Sequence, residues 1–545
     1  MIEPVSRSRR TRRRSRGRIV VWVVVAALVA GVLAGGVVLL ARPQIAVAQD
    51  TSGLARVSVP GIEGEVAGVS VETTAGEPIA TSVRRGALVP NHRVEVNQPL
   101  LVHVTVRRPG WAGWALGHTV KRTFVVRTPA ASPRQRWLLT PSHGPVTVGF
   151  ATPVRAVRIA RGSQVRTMRF ATPRSTVVVG RVVPGLPHAG SVTISAVPRT
   201  WEKLPRSVRV SWFPVGNGVQ ALTEPALGRP LRADEPLTIT FARPLKQVLG
   251  EQLPTITPSV SGRWLTVDSH TITFRPVRLG YPLGGRVHVH LSTGLRFAAA
   301  HVRTLRSPAW NVPLPSTLRL HQLLAQAGYL PVAWQPAAGP DPPTARSELA
   351  AALDPPAGRF RWRYPNTPHE LLRIWKPGEW NEITRGAVMM FEHMHGLDVD
   401  GFVGPQVWHA LLVDTLAGKR YRSGYSYVYV HRKLPQSLNL WHDGRLVLTS
   451  PGNTGVPAAP TQLGTFPVFE HIPVGTMSGT NPDGTHYHDP GIRWISYFNH
   501  GDAIHAFNRA SFGTPQSLGC VELPLAAAAT VWPYTPIGTL VTIED

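Results

Sequence analysis

Two short stretches near the C-terminus decide how the chain is interpreted: Ile504-His505-Ala506-Phe507 and Ser517-Leu518-Gly519-Cys520-Val521-Glu522. Cys520 is the only cysteine in 545 residues, and His505 lies fifteen positions before it on an apolar run typical of a strand. Ser-x-Gly-Cys predicts a tight turn with the thiol at its tip, where backbone N–H groups can hold an oxyanion. An imidazole close to a thiol raises the thiolate fraction, so Cys520 is the candidate nucleophile and His505 the candidate general base.

This pattern resembles the catalytic signature of the L,D-transpeptidases, the YkuD-type cysteine enzymes of peptidoglycan. Their signature is a histidine, a gap of similar length, then Ser-His-Gly-Cys, an apolar residue and Arg or Asn. The matching positions are His505, Ser517, Gly519, Cys520 and Val521. The departures are Leu518 in place of histidine, Glu522 in place of Arg or Asn, and Ala506 where glycine often follows the base.

A second element of that family lies upstream and extends the resemblance over residues 425–545. Pro460-Thr461-Gln462-Leu463-Gly464-Thr465-Phe466 resembles Thr-Pro-x-Gly-x-Phe, with Gln462 replacing the proline. The segment is mostly strand-like, and Asp443-Gly444 predicts a type I′ hairpin turn. Residues 476–490 are rich in Gly, Pro and His and are predicted to be a loop, where the family carries a lid over its active site.

The resemblance implies a reaction, in which the Cys520 thiolate attacks the bond between residue three and D-Ala of a tetrapeptide stem. D-Ala leaves, a thioester remains, and an amine of a second stem resolves it as a 3→3 crosslink. The Cys520 N–H, with Gly519, would stabilise the oxyanion, and Ser517 belongs to the same turn. Carbapenem β-lactams are the implied covalent inhibitors, and no cofactor is implied.

The departures leave other functions open. Glu522 next to the nucleophile would raise the thiol pKa unless an arginine pairs with it, and Arg493 and Arg509 are the candidates. The group that orients His505 is not identified by the sequence. One alternative is a non-catalytic wall-binding protein with a decayed catalytic domain. Another is an L,D-carboxypeptidase or endopeptidase, in which water resolves the thioester.

The N-terminus predicts a membrane anchor. Residues 1–18 form a basic tail with eight arginines, and residues 19–41 carry no charge over 23 positions. Such a run is long enough to cross a bilayer of about 30 Å as a helix, and the arginines before it place the tail in the cytoplasm. The chain is thus predicted to be a single-pass plasma-membrane protein with its catalytic domain on the wall side. A cleaved signal peptide ending near Ala46-Val47-Ala48 is the alternative.

Between the anchor and the catalytic domain, the spacing of apolar residues changes once, from strand-like to helical, near Pro313. Short alternating strands before it predict β-domains over 51–128, 129–214 and 215–313. A repeat with an offset of 91 residues, 144–154 matching 235–245, makes the last two resemble bacterial Ig-like spacers. Residues 314–418 follow a helical period and resemble a three-helix peptidoglycan-binding domain, interrupted after Leu330 by an insertion, 331–380, rich in Pro and Trp.

The fold class predicted is therefore multidomain and mainly β, with four parts after the cytoplasmic tail. They are an N-terminal transmembrane helix, Ig-like β-sandwich domains, a small three-helix peptidoglycan-binding domain and a C-terminal β-rich L,D-transpeptidase catalytic domain.

Composition and charge exclude some partners. The formal net charge is +27, and nearly all of it comes from arginine. This charge fits a polyanionic cell wall as a partner, but a GC-rich genome would produce the same arginine bias. No zinc-finger spacing, aromatic RNA-binding motif or phosphate loop accompanies the charge, so no nucleic-acid partner is predicted. His486 and His488 lie at metal-binding spacing, but no further ligand completes a zinc set, and no metal is predicted.

Overall fold

The fold comes from a computed structural model of the chain. It describes residues 21–32, 44–50, 52–59, 64–110, 113, 117–141, 143–182, 189–216, 218–298, 303–339 and 342–545. The chain divides into two compact units, Met1–Gly218 and Val219–Asp545. Each unit is described by itself.

The N-terminal segment is described only in part. Residues 21–32 are helical and exposed. The helices within the described part of the chain include none with both the length and the apolar character needed to cross a bilayer. The basic tail predicted at 1–18 lies outside the described residues, as do several positions of the span predicted at 19–41.

The first unit begins with two four-stranded sheets, ordered β1-β2-β6-β5 and β4-β3-β7-β8. The strands are β1 (Ala46–Gln49), β2 (Ala55–Ser58), β3 (Glu65–Thr73), β4 (Pro78–Ile79), β5 (Thr81–Arg84), β6 (Ala87–Pro90), β7 (Pro99–Arg107) and β8 (Thr119–Arg127). The alternating apolar residues of β7 are fully buried, as their period of two predicts: Leu100, Val102, Val104 and Val106.

A five-stranded sheet, ordered β11-β10-β12-β13-β9, completes the first unit. Its strands are β9 (Trp137–Thr140), β10 (Gly144–Arg161), β11 (Gln164–Val182), β12 (Gly190–Val197) and β13 (Val208–Pro214). β10 and β11 form an unusually long antiparallel hairpin that turns at Gly162 and Ser163. The first copy of the sequence repeat is the start of this hairpin.

The second unit opens with a β-sandwich. Its elements are β14 (Ala221–Glu224), β15 (Leu237–Phe241), α1 (Leu245–Val248), β16 (Thr255–Thr257), β17 (Gly262–Asp268), β18 (Thr271–Pro276), β19 (Arg286–His290), β20 (Leu295–Phe297), β21 (Arg303–Leu305) and β22 (Ala309–Asn311). The sheets are ordered β17-β18-β15-β14-β20-β21 and β16-β19-β22, and their inward side chains, among them Phe241 and Trp310, share one core. The second copy of the repeat ends as a strand at Phe241, whereas the first continues to Arg161.

A helical module follows. Its elements are α2 (Thr317–Ala327), β23 (Val332–Pro336), α3 (Ala345–Leu353), β24 (Gly358–Trp362), α4 (His369–Ile374), α5 (Glu382–Met394) and α6 (Pro405–Ala417). Gly328, at φ 91°, ends α2, and Pro405 occupies the first turn of α6, as the sequence predicts.

The described residues of the insertion at 331–380 form a contact surface. It contains the paired strands β23 and β24 together with α3 and α4. After β24, the Tyr364 hydroxyl donates to Asp443 and the Asn366 amide donates to the Gly444 carbonyl. The ring of Tyr364 also packs edge-on against Trp441, with ring centres 5.1 Å apart. The insertion therefore touches the C-terminal domain.

The C-terminal domain holds two sheets, ordered β27-β26-β25-β33-β28 and β29-β30-β31-β32. Its elements are β25 (Ser426–His431), β26 (Ser437–His442), β27 (Arg445–Pro451), β28 (Gly464–Pro467), β29 (Glu470–Thr480), β30 (His486–Asn499), β31 (Asp502–Ala506), β32 (Val521–Leu523), α7 (Leu525–Val531) and β33 (Leu540–Glu544). Asp443 and Gly444 between β26 and β27 have φ values of 44° and 84°, which confirms the type I′ turn.

One prediction for this domain is wrong. Residues 476–490, expected to be a loop, are the far end of the β29–β30 hairpin, with Thr480 opposite His486. The strands continue because Thr476, Ser478 and Thr480 alternate with the other face, and only 481–485 turn. Glycine and proline inside the pairing had hidden that period.

Candidate active site

The β31–β32 pair separates the domain core from the candidate site. The two strands run parallel, with Ile504 opposite Val521 and His505 opposite Glu522. Ile504 and Val521 face the hydrophobic core of the domain. Because side chains alternate along strands, His505 and Glu522 share the opposite face, and Cys520, directly before β32, lies on their side.

The turn before Cys520 is held by backbone and hydroxyl contacts. The buried Ser517 hydroxyl donates to the Cys520 carbonyl at 2.6 Å, and the Ser517 N–H donates to the Thr454 carbonyl at 3.1 Å. Gly519 has φ 117°, a conformation that side chains rarely adopt, and an added Cβ would collide with the Asp502 carboxylate. Only glycine fits there, as the Ser-x-Gly-Cys pattern predicts.

The same turn leaves two backbone donors free. Across the described residues, neither the Gly519 N–H nor the Cys520 N–H donates to a backbone carbonyl or a side-chain acceptor. Two such donors beside a thiol can stabilise an oxyanion.

His505 is oriented by the main chain. Its side chain is 3% exposed, and Nδ1 lies 3.0 Å from the Ala506 carbonyl oxygen. A carbonyl can only accept, so Nδ1 carries the proton and Nε2 keeps its lone pair. Burial lowers the pKa of His505, while the hydrogen bond to Ala506 and the Glu522 carboxylate act in the opposite direction. The residue is therefore a neutral imidazole with its basic nitrogen free.

Cys520 is a partly buried thiol. The sulfur donates to the Gly501 carbonyl at 3.7 Å, and no hydrogen bond joins it to His505, both residues lying in the described part of the chain. It packs against the apolar cluster of Ile492, Ile495 and Ala503, to which Met477 and Tyr497 of the β29–β30 hairpin also belong. Burial raises the pKa of Cys520 to about 12, and the carboxylates of Asp502 and Glu522 add to this. Thiol and imidazole are thus both uncharged at neutral pH in this closed arrangement.

Glu522 is neutralised by an arginine. Arg509 donates from Nε to Oε2 at 2.8 Å and from Nη2 to Oε1 at 2.6 Å. The same guanidinium also donates to the Gln516 carbonyl and covers the ring of Phe507. Of the two partners considered from the sequence, Arg509 is confirmed. The pair ties the loop before Cys520 to β32.

Two residues of the site were not found by sequence reasoning. Asn453, fully buried, exchanges backbone hydrogen bonds with Glu522 and accepts from Gly513 through Oδ1. Asp502 lies behind Gly519, and burial raises its pKa, which Asn499 and the Gln462 N–H counteract. Both are polar residues at strand ends or loops, where no periodic signal marks them. The proline usual at 462 in the resembling family could not supply that N–H.

The paired histidines of the hairpin are not assembled into a metal centre. His486 Nδ1 lies 3.1 Å from the Thr480 hydroxyl. Among the residues that the structure describes, no three His, Cys, Asp or Glu side chains are grouped so as to hold a metal ion.

Comparison with known proteins bears on this domain. Residues 425–543 match the family model of the L,D-transpeptidase catalytic domain, YkuD. Residues 425–543 form an L,D-transpeptidase catalytic domain. The L,D-transpeptidase domain makes the chain an enzyme of the acyltransferase class, as its sequence predicts. No curated protein sequence matches the chain.

Solved structures of L,D-transpeptidases are among those similar to the chain. One from Mycobacterium smegmatis is 12% identical with a TM-score of 0.21, over 60% of this chain and 100% of its own. The catalytic domain of the E. faecium enzyme is 24% identical with a TM-score of 0.21, over 23% of this chain and 100% of its own. L,D-transpeptidase 3 from Mycobacterium tuberculosis with a faropenem-derived adduct is 12% identical with a TM-score of 0.20, over 60% and 98%.

Proposed function

We propose that the chain is an L,D-transpeptidase that forms 3→3 peptidoglycan crosslinks, with Cys520 as nucleophile and His505 as general base. The observation that supports the assignment is the shared face of β31–β32, on which the alternation of side chains puts the only thiol of the chain and the His505 imidazole, whose Nδ1 is held by the Ala506 carbonyl. The family match over residues 425–543 supplies the reaction class.

In the acylation half, the thiol turns from the Gly501 carbonyl towards His505. Because burial keeps the thiol protonated, Nε2 takes the proton as sulfur attacks the carbonyl carbon of the donor stem. The tetrahedral oxygen accepts hydrogen bonds from the Gly519 and Cys520 N–H groups. The C–N bond then breaks, D-Ala leaves as an amine with the proton from Nε2, and a thioester remains.

In the second half, an acceptor amine attacks the thioester carbon. His505 Nε2 takes a proton from that amine, the C–S bond breaks, and the sulfur regains the proton. The product is an amide between two stems. The resembling family has Arg or Asn at the position of Glu522. Because Arg509 pairs with the Glu522 carboxylate, this chain presents no unpaired negative charge to the substrate there.

Covalent labelling tests the assignment. Carbapenems acylate cysteine enzymes of this family, and structures of related enzymes hold imipenem or a faropenem-derived adduct. Intact protein is expected to gain one drug mass at Cys520, and Cys520→Ala none. His505→Ala is expected to acylate about 10²–10⁴-fold more slowly, the usual contribution of a general base. A wild-type protein that is folded yet neither acylated nor active on tetrapeptide would mark a decayed domain.

Mass spectrometry of the products separates transfer from hydrolysis. Incubation with disaccharide-tetrapeptide is expected to give a dimer linked through residue three. A tripeptide without dimer would instead show that water resolves the thioester, the carboxypeptidase alternative.

The proposal places the enzyme on the wall side of the plasma membrane, anchored by residues 19–41 with residues 1–18 in the cytoplasm. The supporting feature is the uncharged run of 23 residues behind eight arginines. The protein should then fractionate with membranes and be protease-accessible beyond Arg42 in spheroplasts. A soluble mature form starting near Gln49 would indicate a cleaved signal peptide.

We further propose that the helical module within 314–418 binds peptidoglycan. The supporting feature is its sequence resemblance, with Gly396-Leu397, Asp400-Gly401 and Gly404-Pro405 at the expected positions. The full chain should sediment with insoluble peptidoglycan. Sedimentation that survives replacement of exposed residues on α6 would place the wall contact elsewhere.

A further inference from the structure

Outside the basic tail, the net positive charge of the chain is highest in one β-domain. Residues 129–214 contain thirteen Arg and Lys side chains against one acidic residue, whereas residues 425–545 contain five against eight. A genome-wide preference for arginine would raise the count in both segments. The contrast therefore indicates a property of the β-domain itself.

The one acidic residue of that segment does not offset the surface charge. Glu202 is 2% exposed and forms an ion pair of 3.3 Å with Arg199, which is itself buried. A buried carboxylate that is already paired has little influence on cations at the surface. The exposed arginines of this domain therefore act as an uncompensated set.

Four of these arginines gather at the far end of the β10–β11 hairpin: Arg158, Arg161, Arg166 and Arg169. Ala156 is opposite Arg169 and Arg158 is opposite Thr167, so Arg158 and Arg169 are diagonal neighbours on one face. In the same register, Ile159 is opposite Arg166 and Arg161 is opposite Gln164. Arg161 and Arg166 are therefore diagonal neighbours on the reverse face.

These side chains, which we call the arginine hairpin, are all exposed. Within the described part of the chain, no acidic group is in ion-pair range of any of them. Arg161 packs its guanidinium over Trp212 at 5.3 Å, which leaves its charge uncompensated. The like charges at diagonal positions repel each other, and a bound anion would relieve that repulsion.

We propose that the arginine hairpin binds a linear poly(polyol phosphate), a wall polymer in which phosphodiester groups link small polyols along the backbone. A guanidinium presents a planar fork that donates two hydrogen bonds to one phosphate, and it remains charged at all physiological pH values. The exposed arginines lie on both faces of the sheet next to its edge strand β11, which suits a flexible chain that passes around that edge. A flat bilayer surface would reach one face alone. The wall as the place of this polymer rests on the function proposed above.

The test measures binding of the full chain to synthetic poly(glycerol phosphate) over a range of salt concentrations. Replacing all four arginines of the hairpin with glutamine is expected to weaken binding about tenfold or more. The salt dependence of binding should also become less steep, because fewer phosphate contacts mean that fewer counterions are released on binding. The matched control replaces four exposed arginines of the β-sandwich that are not cross-strand partners of one another, Arg229, Arg243, Arg286 and Arg303, with glutamine. It removes the same charge and should change binding less than about twofold.

Three results would overturn the proposal: equal weakening in both quadruple variants, no polymer binding by wild type, or preferential binding of wild type to anionic phospholipid vesicles. Should the quadruple hairpin variant fail to fold by circular dichroism, the pairs Arg158/Arg169 and Arg161/Arg166 are replaced separately, and each should weaken binding. Carbapenem acylation of Cys520 is measured on every variant and should not change. A wild type that binds polymer but is never acylated contradicts the proposed catalysis and leaves the arginine hairpin standing.

Discussion

At the scale of single residues, the site depends on the negative charge of Glu522, which is paired with an arginine. Glu522 and Arg509 form a bidentate pair in which Glu522 is buried and Arg509 is partly exposed. The carboxylate raises the pKa of both His505 and Cys520, so it works against the thiolate and in favour of the imidazolium. The carboxylate thus lowers the thiolate fraction of Cys520. The reaction can still proceed because the His505 imidazole removes the thiol proton during the attack.

Replacing Glu522 with glutamine should shift the pH dependence of acylation to lower pH. Acylation requires neutral His505, whose pKa lies below its usual value of about 6.5, so the rate rises through that pKa and then levels off. Loss of the carboxylate lowers this pKa further, and the acid limb moves down. The rate of carbapenem acylation across acidic pH measures the limb. Arg509 also loses one of its two acceptor oxygens and its ionic partner, which should lower the free energy of unfolding by about 1–3 kcal/mol.

The control for that change is Glu544→Gln, which removes a carboxylate of the same domain from its pair with His431. Its acid limb should coincide with that of wild type. If the acid limb of Glu522→Gln stays at the wild-type pH or moves to higher pH, the carboxylate does not act on His505.

Residue identities at the site were partly predictable. The thiol, the base and the glycine of the turn have a linear spacing, and the arginine partner was one of two candidates. Asn453 and Asp502 reach the site through pairings between distant segments, and no spacing in the sequence reports such contacts.

At the scale of elements, the β29–β30 hairpin is a cover over the nucleophile. Met477 and Tyr497 from its two strands belong to the same apolar cluster as Cys520. This cover explains why the thiol pKa is raised to about 12 by burial. The glycine, proline and histidine content of its far end predicts a loop, and the strand-like alternation of Thr476, Ser478 and Thr480 is the weaker signal in the sequence.

Met477→Ser should make the thiol more reactive in the absence of substrate. A polar, shorter side chain admits water, so the burial that raises the pKa of Cys520 is reduced. A fall of one unit in that pKa gives about tenfold more thiolate at neutral pH. Iodoacetamide alkylation of the only cysteine measures it directly. Val447→Ser on β27, outside that cluster, should alkylate like wild type, and equal rates in the two variants would refute the cover.

At the scale of the whole molecule, the helical module and the catalytic domain belong to the same compact unit. Leu411 of α6 and Tyr427, Trp441 and Leu540 of the catalytic domain lie in one continuous hydrophobic cluster. Gly386 of α5 lies so close to Gly538 that a Cβ on either would meet the carbonyl of the other. The periodic pattern predicted both modules, but their joint core arises from contacts that a linear pattern does not contain.

Gly386→Ala should therefore destabilise the protein, although the same change inside an isolated helix stabilises it by about 0.5–1 kcal/mol. The added methyl group meets the Gly538 carbonyl and forces α5 away from the catalytic domain. Calorimetry should show a lower melting temperature, with the catalytic domain unfolding apart from the helices. Gly404→Ala has open space around its Cβ and should melt close to wild type. A higher melting temperature for Gly386→Ala would argue against tight docking.

The hydrogen bond from His505 to the Ala506 carbonyl has a consequence for sequence variation at position 506. The acceptor that aims the base belongs to the peptide backbone, so no single codon change at position 506 deletes it. Any side chain compatible with the strand can stand there, and natural variation at that site says nothing about lost activity. An alanine scan would miss this member of the catalytic machinery, because substitution leaves its carbonyl in place.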